Sequence, residues 1–273
     1  MIQADLHLHT LYSHGANTPF EMHARAKELG LSLIGFSEHS PRPEGFNYKR
    51  EYRDQLRARL GDYVREVQAL KNKDDPCRVL FGMEMDWLAG QREFTGRSCV
   101  AYDFDYLIGS VHFIDRWGFD DGDEPWRDAS LEQCASWYRQ YFESWLEMIN
   151  SGLFNIAAHP DLIKIFSVDK FRAWLDKSES RELIYKGLRA LKEQGMAMEI
   201  SSAGLRKACR EFYPCPAIME MARDLGLSVS LASDAHNVKD LAANFVELAE
   251  YARSFGWSEQ TIFDHGRTSA LPF

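Results

Sequence analysis

Short apolar runs alternate with longer stretches of helical periodicity along the whole chain. Candidate strands are Ile2–His7, Ser32–Ser37, Arg78–Met83, Tyr106–Ser110, Asn155–Ala158, Ala197–Ile200 and Ser228–Ala232. Each is short, rich in Ile, Leu, Val, Phe or Met, and followed by polar or turn residues, as strands buried on both faces are. Between them lie helices with readable ends. Thr18 and Pro19 predict an N-cap and a first helical residue, with Gly30 closing that helix. From Leu131, the positions Cys134, Tyr138, Tyr141, Phe142, Trp145 and Ile149 recur at helical spacing up to Gly152. That aromatic stripe predicts packing against a sheet rather than a cofactor box. Two more helices, from about Glu179 to Glu193 and from Pro216 to Leu225, precede Gly195 and Gly226. Strand-then-helix units repeated in this way predict an α/β fold, a barrel of parallel strands ringed by helices in one domain spanning residues 1–273. An open doubly wound sheet is the alternative, disfavoured because no Gly-rich phosphate loop follows the first strand.

Composition narrows the class. The chain has 273 residues, 45% apolar and 27% charged, which suits a single barrel of ordinary globular type. Its five cysteines are scattered and include no C-x-x-C pair. They predict reduced thiols in a cytoplasmic setting, with Cys209 and Cys215 able to pair under oxidation. The start, MIQADLHLHT, has neither the basic region nor the long apolar stretch of a signal peptide. No run reaches the ~18 apolar residues of a membrane span. A net charge of −9 disfavours nucleic acid and membrane surfaces as partners. An anionic substrate would therefore need a strongly positive local site.

The chemistry sits where the apolar runs stop. Asp5-Leu-His7-Leu-His9-Thr ends the first strand and Ser37-Glu38-His39-Ser the second. Gly82-Met-Glu84-Met-Asp86 ends the third and Gly109-Ser-Val-His112 the fourth. Ala158-His159-Pro-Asp161 ends the fifth and Ser233-Asp234-Ala-His236 the seventh. In a barrel, such C-terminal strand ends converge on one mouth. Singly, each is weak: a lone His is most often a satisfied structural residue, and Glu84 or Asp234 alone would be a cap or an ion-pair partner. Jointly, seven of the nine histidines (His7, His9, His14, His39, His112, His159, His236) fall at or just after strand ends, and His23 and His265 read as structural or exposed. Burying so many polar rings together without ligands costs several kcal/mol. Bound metal ions account for them most simply.

These motifs resemble the PHP (polymerase and histidinol phosphatase) family, whose signature is DLHxHT, SEHS, a Glu after the third strand, SVHF, AHPD and SDAH, in that order. The resemblance implies a distorted seven-stranded (β/α)7 TIM-like barrel and a trinuclear site. His7, His9, Glu84 and Asp234 would hold one ion, and Glu84 would bridge to a second held by His112 and His159. His14, His39 and His236 would hold the third. Asp86 is read as structural or supporting. Asp5, Glu38 and Asp161 would orient imidazoles or serve as ordinary loop charges. Imidazole and carboxylate donors suit three divalent ions of zinc, iron or manganese.

Three such ions against two carboxylates leave a charge of about +4 to attract a phosphate ester. A water between them, acidified toward a pKa of about 7, would attack phosphorus, with Glu84, Asp234 and His39 as the catalytic core. The stretch Glu199-Ile-Ser-Ser-Ala-Gly-Leu-Arg206-Lys207, followed by Phe212-Tyr213-Pro214, resembles the E-x-N-T-S-G-L-R-K…Y-P block of histidinol phosphatases, with Ser201 where that block has Asn. It implies L-histidinol phosphate as substrate, Arg206 as a phosphate clamp, and Lys207 as a second contact or a surface residue. Arg42 would touch substrate or remain a solvated loop charge. The stretch Trp117–Asp121 would cover the site and recognise an imidazole or amine. Rival readings are a phosphoesterase acting on nucleotides, a nuclease module, and a metal-storage domain. The acidic balance disfavours the second, and the phosphate clamp disfavours the third.

Overall fold

A computed structural model describes residues 1–46 and 48–273, and in it the alternating runs become β1 (Ala4–Asp5), α1 (Pro19–Glu28), β2 (Leu33–Phe36), α2 (Arg50–Lys71), β3 (Arg78–Asp86), α3 (Arg92–Cys99) and β4 (Tyr106–Ser110). A small hairpin of β5 (Phe113–Ile114) and β6 (Trp117–Gly118) follows, then α4 (Glu124–Asp128), α5 (Leu131–Asn150), β7 (Ile156–Ala157), α6 (Val168–Leu175) and α7 (Ser178–Gln194). The chain ends with β8 (Ala197–Ser201), α8 (Pro216–Leu225), β9 (Val229–Ala232), α9 (Phe245–Ser254), β10 (Glu259–Asp264) and β11 (Arg267–Pro272).

The strands pair in parallel in the order β1-β2-β3-β4-β7-β8-β9 and curl into a nearly closed barrel. The seam between β1 and β9 is closed mainly by side chains. The Asp5 carboxylate accepts the Ser233 backbone N–H at 3.1 Å and the Ser233 hydroxyl. Gln260, buried on β10, accepts from the Leu231 N–H at 3.1 Å and donates to the Ala4 carbonyl at 3.3 Å. Past the strand ends, the His9 N–H reaches the Ala235 carbonyl at 2.8 Å.

Strand periodicity sorts the core into two layers. On β3, Val79, Phe81, Met83 and Met85 face the helices, while Leu80 packs inside with Ala4, Leu6, Ile108 and Ile156. The same period of two that turns Leu80 inward turns Glu84 inward one repeat beyond Gly82, at the mouth. The closed end is plugged by Tyr106, whose hydroxyl donates to the Leu6 carbonyl at 2.6 Å. Gly35 and Gly82 make room for that ring: a Cβ at either would lie 2.3 or 2.5 Å from it.

All seven expected strands are present, with shifted limits. Pairing covers only Ala4–Asp5 of the first, and β3 runs on to Asp86. Thr18 forms a full capping box with Glu21, and Gly195 and Gly226 close their helices at φ 66° and 62°. The 22-residue α2, the helix α9 and both hairpins were not anticipated. All five cysteines are free, so Cys209 and Cys215 are not paired. Among the described residues no helix is long and apolar enough to cross a membrane.

Replacing Gln260 by Leu keeps the volume but strands two buried backbone groups at the seam. Urea unfolding should show a loss of about 2–4 kcal/mol. An unchanged midpoint would mean that the seam does not depend on this side chain.

Candidate metal centre

The mouth is organised around Glu84, which is 0% exposed. Its Oε2 lies 2.8 Å from His39 Nδ1, 3.4 Å from His7 Nε2 and 3.5 Å from His9 Nε2. Its Oε1 lies 3.1 Å from His159 Nε2 and 3.6 Å from His112 Nε2. Asp234 Oδ1 stands 3.2 Å from His9 Nε2 and 3.8 Å from His7 Nε2. The His236 ring lies 4.3 Å from His9 and 4.2 Å from His14, the latter exposed at the rim. Every histidine and both carboxylates read from the strand ends as ligands thus meet in one place. Two of them are held in strained backbone: His159 has φ 23° and Asp234 φ 50°, a region that non-glycine residues seldom occupy.

The donors fit divalent cations. His7 Nε2, both nitrogens of His9, His39 Nδ1, His236 Nε2 and Glu84 Oε2 are buried with no hydrogen-bond partner among the described residues. Such groups are costly unless something binds them. They fall into tight sets, each with its donor atoms within 4.8 Å of one another: His7, His9 and Asp234; His9, His39 and His236; His39, Glu84 and His112; and His7, Glu84 and His159. Burial pushes His39 and His236 well below the usual imidazole range. Burial alone would raise Glu84 and Asp234, but the imidazoles around them hold both well below the ordinary carboxylate range. His7 and His112 go the other way: burial lowers them, but the carboxylates beside them outweigh it, raising His7 well above the imidazole range and His112 to about 9. A metal binds neutral rings and ionised carboxylates, so it would displace the protons of these two.

A further set of carboxylates orients the rings. Asp86 Oδ1 lies 2.7 Å from His112 Nδ1. Glu199, whose role the sequence reading missed, accepts from His7 Nδ1 at 2.6 Å and from the His159 backbone N–H at 3.1 Å. Its signal was available: a single carboxylate inside the otherwise apolar run of β8. Glu38 does not hold a ring: it accepts from the Thr10 backbone N–H at 2.5 Å and from its hydroxyl, and its other oxygen stays 3.9 Å from His9 Nδ1 without a hydrogen bond. Asp5 and Asp161 do not orient rings. Asp5 closes the barrel seam, and Asp161 accepts the Cys215 N–H at 2.8 Å and pairs with buried Lys164 at 2.8 Å.

Beside the cluster opens a cleft of about 440 Å³. Asp120, Asp121, Tyr48 and Tyr52 line it, as do Lys207 and the apolar Leu162, Ile165 and Phe166. Arg206 is not on that wall. Its Nη2 donates to the Ser233 carbonyl at 2.5 Å, and its Nε lies 3.6 Å from Asp240, so it braces the loop carrying Asp234. Arg42 is not a solvated charge: it is 1% exposed, bound to Asp86 and not among the residues lining the cleft. Of the Trp117–Asp121 stretch only the two aspartates face the cleft, while Trp117 packs on Trp126 and Trp137. His23 bonds the Cys77 carbonyl at 2.8 Å and His265 is exposed, both away from the centre.

The comparisons with known proteins agree with this arrangement. Residues 5–203 match the model of the PHP domain. A protein of Deinococcus radiodurans described as a probable histidinol-phosphatase is 33% identical over 92% of this chain and 93% of its own. The histidinol-phosphatase of Bacillus subtilis is 28% identical over 88% of this chain and 96% of its own. Among solved structures, the histidinol phosphate phosphatase of Lactococcus lactis, complexed with zinc, L-histidinol and phosphate, superposes with a TM-score of 0.77 at 22% identity, covering 98% of both chains. By the extent of the matched domain and the full-length relatives, this chain belongs to the PHP domain family.

Proposed function

We propose that the chain is a metal-dependent histidinol-phosphatase that hydrolyses L-histidinol phosphate to L-histidinol and phosphate. The observation that carries this reading is the set of buried, unpaired imidazole nitrogens around Glu84, opening onto a cleft lined by the cations Lys49 and Lys207, the carboxylates Asp120 and Asp121, and the apolar Leu162, Ile165 and Phe166. We assign three divalent ions, of zinc, iron or manganese, to His7, His9, Glu84 and Asp234; to Glu84, His112 and His159; and to His14, His39 and His236. The sharing of His7, His9, His39 and Glu84 between tight donor sets supports ions held side by side. When bound, such ions supply positive charge to phosphoryl oxygens and acidify water at neutral pH. The stretch beyond residue 203 belongs to the same functional unit, because it supplies Asp234, His236 and Lys207. Five free cysteines fit a reducing compartment, the cytoplasm.

The remaining roles follow from the walls of the cleft. Lys207 holds a phosphate oxygen and, with the bound ions, offsets the −9 charge that would otherwise repel the substrate. Asp120 accepts from the Tyr48 hydroxyl at 2.7 Å, which fixes its carboxylate as an acceptor for the substrate ammonium. Leu162, Ile165 and Phe166 offer an apolar face to the imidazole and keep water from it.

Two outcomes test the reading. Chelation should abolish phosphatase activity, and readdition of zinc, manganese or iron should restore it. Glu84→Gln should lower turnover to background and reduce the ions counted per chain by elemental analysis; wild-type turnover in that variant would sink the metal assignment. Separately, Asp120→Asn should raise KM for histidinol phosphate about tenfold, equivalent to about 1.4 kcal/mol, and leave an amine-free alkyl phosphate nearly unaffected. Equal effects on both compounds, or faster turnover of nucleoside monophosphates by the wild type, would remove the substrate assignment.

A further inference from the structure

Arg42 is among the largest fully buried side chains in the protein. A buried guanidinium costs several kcal/mol unless its partners are well placed, and among the described residues only its Nε has a hydrogen-bond partner, Nη1 and Nη2 being buried without one. The side chain comes from the loop after β2 and sits among three rings, with its Cζ 5.1 Å from the centroid of Tyr48, 5.7 Å from Tyr52 and 5.2 Å from Phe113. Tyr48 and Tyr52 line the cleft and Arg42 does not. Substrate would therefore meet the rings, not the charge.

What Arg42 does touch is a carboxylate with a second task. Its Nε donates to Asp86 Oδ2 at 2.5 Å, and Asp86 Oδ1 lies 2.7 Å from His112 Nδ1. We propose that Arg42 is a positioning residue for His112, acting through Asp86. A carboxylate paired with a guanidinium through one oxygen is an acceptor at the other, so the proton of that second bond belongs to His112. This fixes the His112 tautomer with the proton on Nδ1 and leaves the Nε2 lone pair facing Glu84, whose Oε1 is 3.6 Å away. The arrangement parallels Glu199 and His7, with one addition: the orienting carboxylate is itself held by a cation. Lysine would not do the same, because it lacks both the in-plane Nε–H and the flat surface that the three rings enclose. Tyr52 extends the link, since its hydroxyl lies 3.0 Å from His14 Nδ1. One buried arginine thus packs between the supports of two donors, His112 and His14.

The inference rests on the metal reading of the site, not on the identity of the substrate. It is tested on the full-length chain by competition for zinc with a chromophoric chelator, by elemental analysis, and by nitrogen chemical shifts of the histidine rings in the zinc-loaded protein. Arg42→Met should weaken the most loosely held zinc by about 10–100-fold, and Asp86→Asn should do the same. The double variant should be no worse than the worse single one, because both act along one chain of contacts. The His112 nitrogen shifts should move away from those of the Nδ1–H form in each variant. KM for histidinol phosphate, measured at saturating zinc, should change less than threefold. Arg42→Lys keeps a cation and most of the volume; it should fold and still show the weaker zinc, which decides the matter if the methionine variant does not fold. Zinc affinity and His112 shifts equal to wild type in a folded variant would overturn the proposal. So would a large rise in KM at unchanged zinc affinity, which would make Arg42 a substrate contact. A wild-type chain that binds no zinc would instead overturn the metal reading itself.

Discussion

One carboxylate placed out of reach of solvent sets the terms for the rest of the molecule. Glu84 is held well below the ordinary carboxylate range at 0% exposure, with five imidazoles within 3.6 Å and, among the described residues, no Lys or Arg paired with it. In the absence of metal, His7 and His112 could compensate this charge only by holding buried protons of their own, which is itself costly. With ligated cations the balance reverses: the carboxylate becomes the shared counter-charge, and the rings, too crowded to hydrogen-bond one another, become donors. The cluster is therefore intelligible as a holder of ions and hard to understand as packing.

The barrel exists to make that crowding possible. Its donors are drawn from six strand ends spread between residues 7 and 236, and no local structure would bring them together. Below the mouth, the interior is filled by Ala4, Leu6, Leu80, Tyr106, Ile108 and Ile156. This half supplies the rigidity, as the closed end of such barrels does. The short pairing of β1 and β7 leaves gaps that side chains close. Hence Asp5 and Gln260, polar residues in an otherwise apolar layer, serve the seam rather than the chemistry.

The site was largely legible in the sequence because its residues are conspicuous where they stand. An H-x-H pair, or SEHS after an apolar run, has few structural explanations when six such endings occur in order. What was not legible is whatever depends on a partner distant in the chain. Arg42 reads as a loop charge until Asp86, forty-four residues on, is seen against it. Arg206 and Lys207 are neighbours of equal charge, and only the turn of the short helix Ala203–Arg206 decides that the lysine lines the cleft while the arginine braces the Asp234 loop. The helix α2 escaped notice for a local reason: its start, at Lys49, has no capping side chain, and its buried face, Leu56, Tyr63, Val67 and Leu70, is thin and widely spaced.

The supports of the rings explain why the centre can be rigid although much of it lies on loops. His7 is held by Glu199 and His112 by Asp86, and the main chain at His159 and Asp234 is kept in a conformation that loops left to themselves would abandon. These constraints fall on the donors, whereas on the cleft wall Asp120 is held by Tyr48 and Asp121 and Lys207 keep solvent exposure. Rigidity thus belongs to the part of the site whose donors are grouped to hold metal. The cleft walls, which must admit and release a small phosphate ester, lie beside these donors rather than among them, so an error of an ångström there would cost affinity without disturbing the donor set.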